Sequence, residues 1–217
     1  MITLGINCAG KITNVGISES STILSEINIE LARKQSEELP SMVENLLKEA
    51  KKNITEIDQI ALCTGPGYYT GIRAGIAYGA ALAEALGIKA VALSSLELLA
   101  WDLLEAHKHV MPMLKAKRGS CYAALYSGKG KNPISEPAFM NEEAAAAILR
   151  SCPDAVLVSP DTEIFPKISA AAGKIIGKDC SSGGSCALMG EFYSSRSVLP
   201  RLIRGEYLRA PDIGACD

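Results

Sequence analysis

Only two histidines, His107 and His109, occur in this 217-residue chain. Histidine is the commonest metal ligand and proton shuttle. A ligand pair on one helical face needs His-x-x-x-His spacing, and one residue separates these two. They read as a solvated pair, and no metal site is expected. The seven cysteines (Cys8, Cys63, Cys121, Cys152, Cys180, Cys186 and Cys216) are scattered, odd in number and without a Cys-x-x-Cys. That pattern fits reduced thiols better than a disulfide frame or a zinc site. No Gly-x-Ser-x-Gly supports a hydrolase nucleophile. Phosphoryl transfer wants a metal-holding carboxylate at the end of the first strand, where Asn7 stands. Lys115 occupies the second place where a carboxylate would help. A phosphate could meet Lys115 and the backbone of Gly65 to Gly67, but nothing there activates a nucleophile. No catalytic residue is expected, and no cofactor is implied.

The most structured motif is Gly65-Pro66-Gly67-Tyr68-Tyr69-Thr70-Gly71-Ile72-Arg73. It follows a short apolar run, 59–63, that reads as a buried strand, and precedes a proline-free, alanine-rich helix over 72–86. Gly65 and Gly67 permit backbone angles closed to other residues, Pro66 stiffens the turn, and Thr70 can cap the helix. The motif lacks the Gly-Lys-Ser/Thr ending of a P-loop and the spacing of a dinucleotide fingerprint. Two readings stand: helix-start N–H groups that hold an anion or a partner's carboxylate, or a corner that closes the sheet edge. Gly71, Gly75, Gly79, Ala83 and Gly87 recur every four residues, so one helical face is nearly bare. Each interior glycine costs about 1 kcal/mol against alanine. Another helix must approach closely, in this chain or another subunit, or the helix packs tightly on its own sheet.

Residues 2–7, 13–18 and 22–29 read as an antiparallel meander. Over 36–52 the period changes: Leu39, Met42, Val43, Leu46, Leu47 and Ala50 form one apolar stripe of a helix. A strand (57–63), the glycine turn and its helix, a strand (90–93) and a helix from Ser94 or Ser95 to about residue 106 complete the first part. In the second part, 110–114 and 121–126 form a hairpin, 128–137 is loop, and Asn141 caps a helix over 142–150. A strand at 155–159, helices at 164–172 and 186–195, a flexible joint at 181–185 and an extended tail at 206–211 follow. The order calls for a layered α/β fold with helices on mixed sheets, divided into lobes at 1–107 and 108–217. Apolar residues at 48% against 21% charged describe a soluble globular protein. A net charge of −2 argues against strong nucleic-acid binding by this chain alone, and Lys115, Lys117 and Arg118 read as a solvated face. Met1 leads directly into a strand and no apolar window reaches a membrane span, so a cytoplasmic location without membrane contact is expected.

The nine-residue glycine motif is similar to the Gly-Pro-Gly-(Ser/Tyr)-(Phe/Tyr)-Thr-Gly-(Leu/Val/Ile)-Arg signature of the TsaB (YeaZ) family. The likeness extends to the opening hairpin, Gln35-Ser36-Glu37-Glu38-Leu39-Pro40, Ala116-Lys117-Arg118-Gly119 and Tyr207-Leu208-Arg209. The resemblance implies an actin-like, ribonuclease H-like (ASKHA) fold whose second lobe is reduced. It implies a non-catalytic subunit in making threonylcarbamoyladenosine in tRNAs that read codons beginning with adenine. Its partners would be a catalytic TsaD-like paralogue and a TsaE-like ATPase, with tRNA met only through the complex. The missing His-x-x-x-His agrees with TsaB rather than TsaD. Many members carry Asp where this chain has Asn7 and Lys115, and His where it has Gln35. The expected interface joins Leu39, Met42, Val43 and Leu46 to the bare face Gly71, Gly75 and Gly79, with Tyr207, Leu208 and Arg209 as a tail contact. A homodimer through the same helices, an ATP-dependent small-molecule kinase of this superfold and the peptidase of the family's older naming are the competing readings.

Overall fold

The computed structural model describes residues 1–32, 34–117, 119–128, 132–161, 163–178 and 181–209. Arg118, Cys180, Cys216 and the end of the tail, Ala210 and Pro211, lie outside the described residues.

The opening meander forms as its alternation dictates: β1 (Ile2–Asn7), β2 (Ile12–Glu19) and β3 (Thr22–Glu30) pair antiparallel, with Asn7 opposite Asn14 and Asn14 opposite Asn28. The helix α1 (Gln35–Ala50) then leads to β4 (Gln59–Gly65), α2 (Tyr69–Leu86), β5 (Lys89–Ser94) and α3 (Ser95–Trp101). Both β4 and β5 join in parallel, giving the sheet order β3-β2-β1-β4-β5. A parallel neighbour needs a crossover, and the helices between strands supply it. The helix α3 stops at Trp101, short of the expected residue 106.

A second sheet holds β6 (His109–Lys115), β7 (Ser120–Ala123), β10 (Ala138–Asn141), β11 (Ala155–Ser159) and β12 (Lys174–Gly177) in the order β10-β7-β6-β11-β12. The short strands β8 (Tyr126–Ser127) and β9 (Asn132–Pro133) sit beside β6. The helices α4 (Glu142–Ser151) and α5 (Pro166–Ala171) cover this sheet. As expected, Asn141 caps α4, accepting from the Ala144 N–H at 2.9 Å.

The stripe of α1 (Leu39, Val43, Leu46) packs with Leu4, Ile6, Val15, Ile17, Ile60 and Leu62 on one face of the first sheet. On the other face Ala61, Cys63, Val91 and Leu93 meet Trp101 and the helix α6 (Gly183–Phe192). Leu96, Leu99 and Ala100 of α3 pack on Val110 and Val158 of the second sheet, so α3 lies between the two sheets. The strands of the first sheet all precede residue 107 and those of the second all follow it. The chain nevertheless returns: α6 packs on β1 to β4 of the first sheet. A Cβ built on Gly16 would lie 2.1 Å from the Gly183 carbonyl carbon, a backbone-to-backbone approach only glycine allows. The expected joint at 181–185 is instead the cap and first turn of α6, where the Ser182 hydroxyl accepts from the Ser185 N–H at 2.9 Å.

Candidate functional site

The glycine turn is folded down onto its own chain. Gly65 has φ of 113°, in the region that favours glycine, and the Gly65–Pro66 peptide is cis. Hydroxyls from the start of α3 hold the turn, Ser94 donating to the Gly65 carbonyl at 3.3 Å and Ser95 to the Pro66 carbonyl. The Tyr68 N–H donates to the Ala9 carbonyl at 2.7 Å, and the Glu206 N–H of the tail donates to the Thr64 carbonyl at 2.7 Å. A Cβ on Gly67 would sit 2.1 Å from the Ala9 oxygen, and one on Gly71 2.1 Å from the Cys8 oxygen. The first N–H after the glycine pair is therefore engaged within the chain. Thr70 does not cap α2: the N-cap is Tyr68, without a side-chain bond, and Thr70 lies inside the first turn.

Around the turn, tyrosines reach solvent. Tyr68 is 61% exposed and Tyr69 51%, and Tyr69 packs against Tyr207 of the tail with ring centroids 5.5 Å apart. Arg73 Nη1 donates to the Tyr69 hydroxyl at 3.2 Å. Leu208 is half-buried, and the Arg209 guanidinium lies 5.4 Å from the Phe139 ring centroid. The tail thus packs on its own molecule across both lobes. Beside the turn, Lys11, Glu30, Ala32, Gln35 and the 68–71 segment line an open groove of about 500 Å³.

The expected interface residues are brought together, but facing inward. Leu39 and Leu46 are fully buried and Met42 and Val43 nearly so, all in the first-sheet core. Gly71 rests on Cys8, a Cβ on Gly75 would meet the Cys8 Sγ at 3.2 Å, and one on Gly79 would meet Leu62 Cδ2 at 2.2 Å. All seven are buried within the chain itself, the α1 residues where that helix packs on β2, β3 and α2, and the glycines where α2 packs on β1 and β4. What the pair presents outward is different. α1 exposes Glu37, Ser41, Glu44, Asn45 and Lys48, whereas α2 exposes Arg73, Ala77, Ala81 and Ala85. Arg73 and Glu84 are the only charged side chains between Tyr69 and Leu86.

At the sheet ends, amides stand where catalysis would want acids. Asn7 Nδ2 donates to Asn14 Oδ1 at 3.1 Å, and Asn14 Nδ2 to Asn28 Oδ1 at 2.9 Å. Asn28 Oδ1 also accepts from the Gly183 N–H at 3.0 Å, and Asn7 Oδ1 from the Ala9 N–H at 3.0 Å. This ladder ties three strands to the start of α6, and the sequence reading singled out only its first member. Asn7 and Asn14 sit equidistant from the first meander turn, which the sequence shows, but Asn28 faces Asn14 only through a one-residue register shift between Ile17 and Ser18, which it does not. The second sheet end is not wholly without an acid. Asp161 follows β11, where its carboxylate accepts from the Lys115 N–H at 2.7 Å. The crevice by Asn7 is about 50 Å³ and lined by Asn7, Asn14, Ser95, Ser181 and apolar or glycine neighbours. Burial pushes the nearby Cys8 thiol up to about 12. Such a thiol is a poor nucleophile at neutral pH. The two histidines are not a solvated pair either: the His109 side chain is 17% exposed and lies 2.8 Å from Asp154.

Comparison with known proteins bears on this arrangement. Residues 22–149, more than half of the chain, match the family model described as TsaD: tRNA N6-adenosine threonylcarbamoyltransferase. Over 129 residues the chain is 30% identical to the tRNA threonylcarbamoyladenosine biosynthesis protein TsaB of Bacillus subtilis, covering 59% of this chain and 56% of that one. The chain belongs to this family, as a TsaB (YeaZ) member. It spans about half the length of that curated TsaB protein. YeaZ from Pseudomonas aeruginosa superposes with a TM-score of 0.82 at 18% identity, covering 95% of this chain and 100% of that one. The ROK hexokinase of Thermus thermophilus gives a TM-score of 0.52 at 12% identity, covering 90% and 99%. The mixed α/β architecture is therefore that of YeaZ and of the actin-like, hexokinase-type (ASKHA) proteins.

Proposed function

We propose that the chain is a non-catalytic scaffold that dimerises with a TsaD-type transferase. In this reading it supports threonylcarbamoyl transfer to adenosine in tRNAs that read codons beginning with adenine. The observation that carries the reading is the outer face of α2. A surface helix normally turns a charged side to water. This one turns glycines against its own sheet and shows water mainly the small residues Ala77, Ala81 and Ala85, with charge only at Arg73 and Glu84 near its two ends. Leu199 and Leu202, 44% and 56% exposed, are the cap and the last residue of a 3₁₀ turn (Pro200–Leu202) that packs on the same helix. A small-residue face with an apolar margin lets a partner helix approach closely, as interface cores do.

A scaffold rather than an enzyme also fits the crevice. Its volume of about 50 Å³ lies far below the roughly 300–1,000 Å³ of ligand pockets, and no carboxylate lines it among the described residues. A TsaE-type ATPase joining the assembly, tRNA met only through it, a homodimer through the same face when the chain is alone, and a cytoplasmic location belong to the same reading.

The test is co-purification with the TsaD-type protein of the same organism. Ala77→Glu and Ala81→Glu place a charge on the outer face. Each is expected to leave stability within about 0.5 kcal/mol, as surface changes do, and to abolish pairing. Normal pairing by both variants would reject this face. Turnover of Mg-ATP by the isolated chain would instead favour the kinase reading.

A further inference from the structure

One cluster of ligand-type side chains lies away from the helices just described, on the outer end of the second sheet. His109 opens β6, and its backbone is in register with Ala155, the first residue of β11. Cys152 caps the C-terminus of α4, its N–H donating to the Leu149 carbonyl at 3.1 Å, and its carbonyl accepts from the Ala155 N–H at 2.9 Å. Asp154 lies within that closed turn. Three residues from two distant parts of the chain are thus set by the ends of α4, β6 and β11.

Their polar atoms converge. His109 Nδ1 lies 2.8 Å and Cys152 Sγ 3.2 Å from the same oxygen, Asp154 Oδ1, and all three ligand atoms lie within 4.8 Å of one another. An ionised carboxylate only accepts, so the thiol and the imidazole Nδ1 must both donate to it. The second oxygen, Oδ2, faces Lys108 Nζ at 3.6 Å, which leaves Oδ1 turned toward the other two groups. The site therefore has one imidazole, one thiol and one carboxylate around a point now held by two hydrogen bonds.

We propose that His109, Cys152 and Asp154 bind a zinc ion, with solvent completing a tetrahedron. The donor set is the mixed nitrogen, sulfur and oxygen set that suits zinc, whereas calcium and magnesium prefer oxygen alone. Bonds of about 2.0–2.3 Å in a tetrahedron separate ligand atoms by roughly 3.3–3.8 Å. Small outward shifts bring the two hydrogen-bonded distances to that spacing, and the His109 Nδ1–Cys152 Sγ separation is within 4.8 Å. On binding, the Cys152 S–H bond breaks and its proton leaves to solvent, the sulfur keeping the electron pair it gives to zinc. The His109 proton moves from Nδ1 to Nε2, freeing the Nδ1 lone pair. One proton is released per ion. Lys108 stays on the outer oxygen and orients the carboxylate, as partners behind metal ligands do.

The experiment uses the full chain, stripped with a chelator and titrated with Co(II), then with Zn(II) in competition. The expected result is one ion per chain, a thiolate-to-cobalt charge-transfer band, tetrahedral cobalt transitions, and displacement by zinc. Cys152→Ser should weaken binding at least tenfold and remove the band. Asp154→Asn should weaken it similarly while keeping the band. Circular dichroism checks that each variant is folded. A double variant, Cys180→Ser with Cys216→Ser, should bind like the parent, because the proposal assigns the thiolate ligand to Cys152. Absence of binding by the parent, a band that survives in Cys152→Ser, or a band lost in the double variant would each overturn the assignment.

Discussion

A methyl group added at Gly71 would sit 2.1 Å from the Cys8 carbonyl oxygen, one at Gly79 would sit 2.2 Å from a Leu62 methyl, and one at Gly75 would sit 3.2 Å from the Cys8 sulfur. The neighbours differ in how far they can yield. Backbone cannot move aside, a leucine methyl can rotate, and a sulfur at 3.2 Å need give only a few tenths of an ångström. The order of damage for glycine-to-alanine changes should therefore be Gly71, then Gly79, then Gly75. Overpacking is expected to cost about 1–3 kcal/mol at the first two sites. At Gly75 the roughly 1 kcal/mol gained in helix propensity should offset much of the squeeze. Urea-denaturation midpoints of the three variants measure this order. The four-residue recurrence of glycine was legible in the sequence and says that something comes close. It does not say what, because a bare face fits a sheet and a partner equally well.

At the scale of elements, the apolar stripe of α1 was legible from its period, and the helix forms where that period requires. Val43 on the stripe is 1% exposed. Val43→Glu would bury an unpaired carboxylate in the first-sheet core, so it should unfold the chain rather than merely prevent pairing. Loss of the cooperative thermal transition is the check. The tail element offers a pH test. Burial holds the Glu206 carboxyl above its ordinary 4.5, with the charge of Glu97 adding to that and a hydrogen bond from Ser94 opposing it. The folded form then binds this proton more readily than the unfolded one, so its charge destabilises the docked tail at neutral pH, and stability is regained as pH falls through the raised value. Glu206→Gln keeps an acceptor for Ser94 and carries no charge. It should raise Tm at pH 7, with the gain shrinking toward zero below about 4.5, where folded and unfolded carboxyls are both protonated. An equal gain at all pH values would assign the effect to packing alone.

For the whole molecule, the decisive feature is the return of α6 to the first sheet. Cys186, Met189 and Tyr193 cover Ala61, Cys63, Val91 and Leu93 there, and the Asn7–Asn14–Asn28 ladder ends on the Gly183 N–H. A fragment cut at 107 would leave that sheet face bare. We expect residues 1–107 alone to give a collapsed amide NMR spectrum, and residues 1–209 a dispersed one. A dispersed spectrum from the short fragment would show that the first sheet does not need α6. The strand and helix order was legible because each element carries its own period. The lobe that α6 joins was not, since its ten residues show no strong apolar side and are enclosed on nearly all faces.

The sequence by itself determined the meander, the amphipathic α1, the strand–turn–helix around Gly65 and, through the nine-residue motif, the family. These rest on neighbouring residues, whose alternation, four-residue spacing and turn chemistry act along the chain. Tertiary structure alone decided which side of α2 faces outward, where α6 packs, and that His109 meets Cys152 and Asp154 some 45 residues away. Such choices follow from which distant surfaces exclude water from one another, and no local pattern records that.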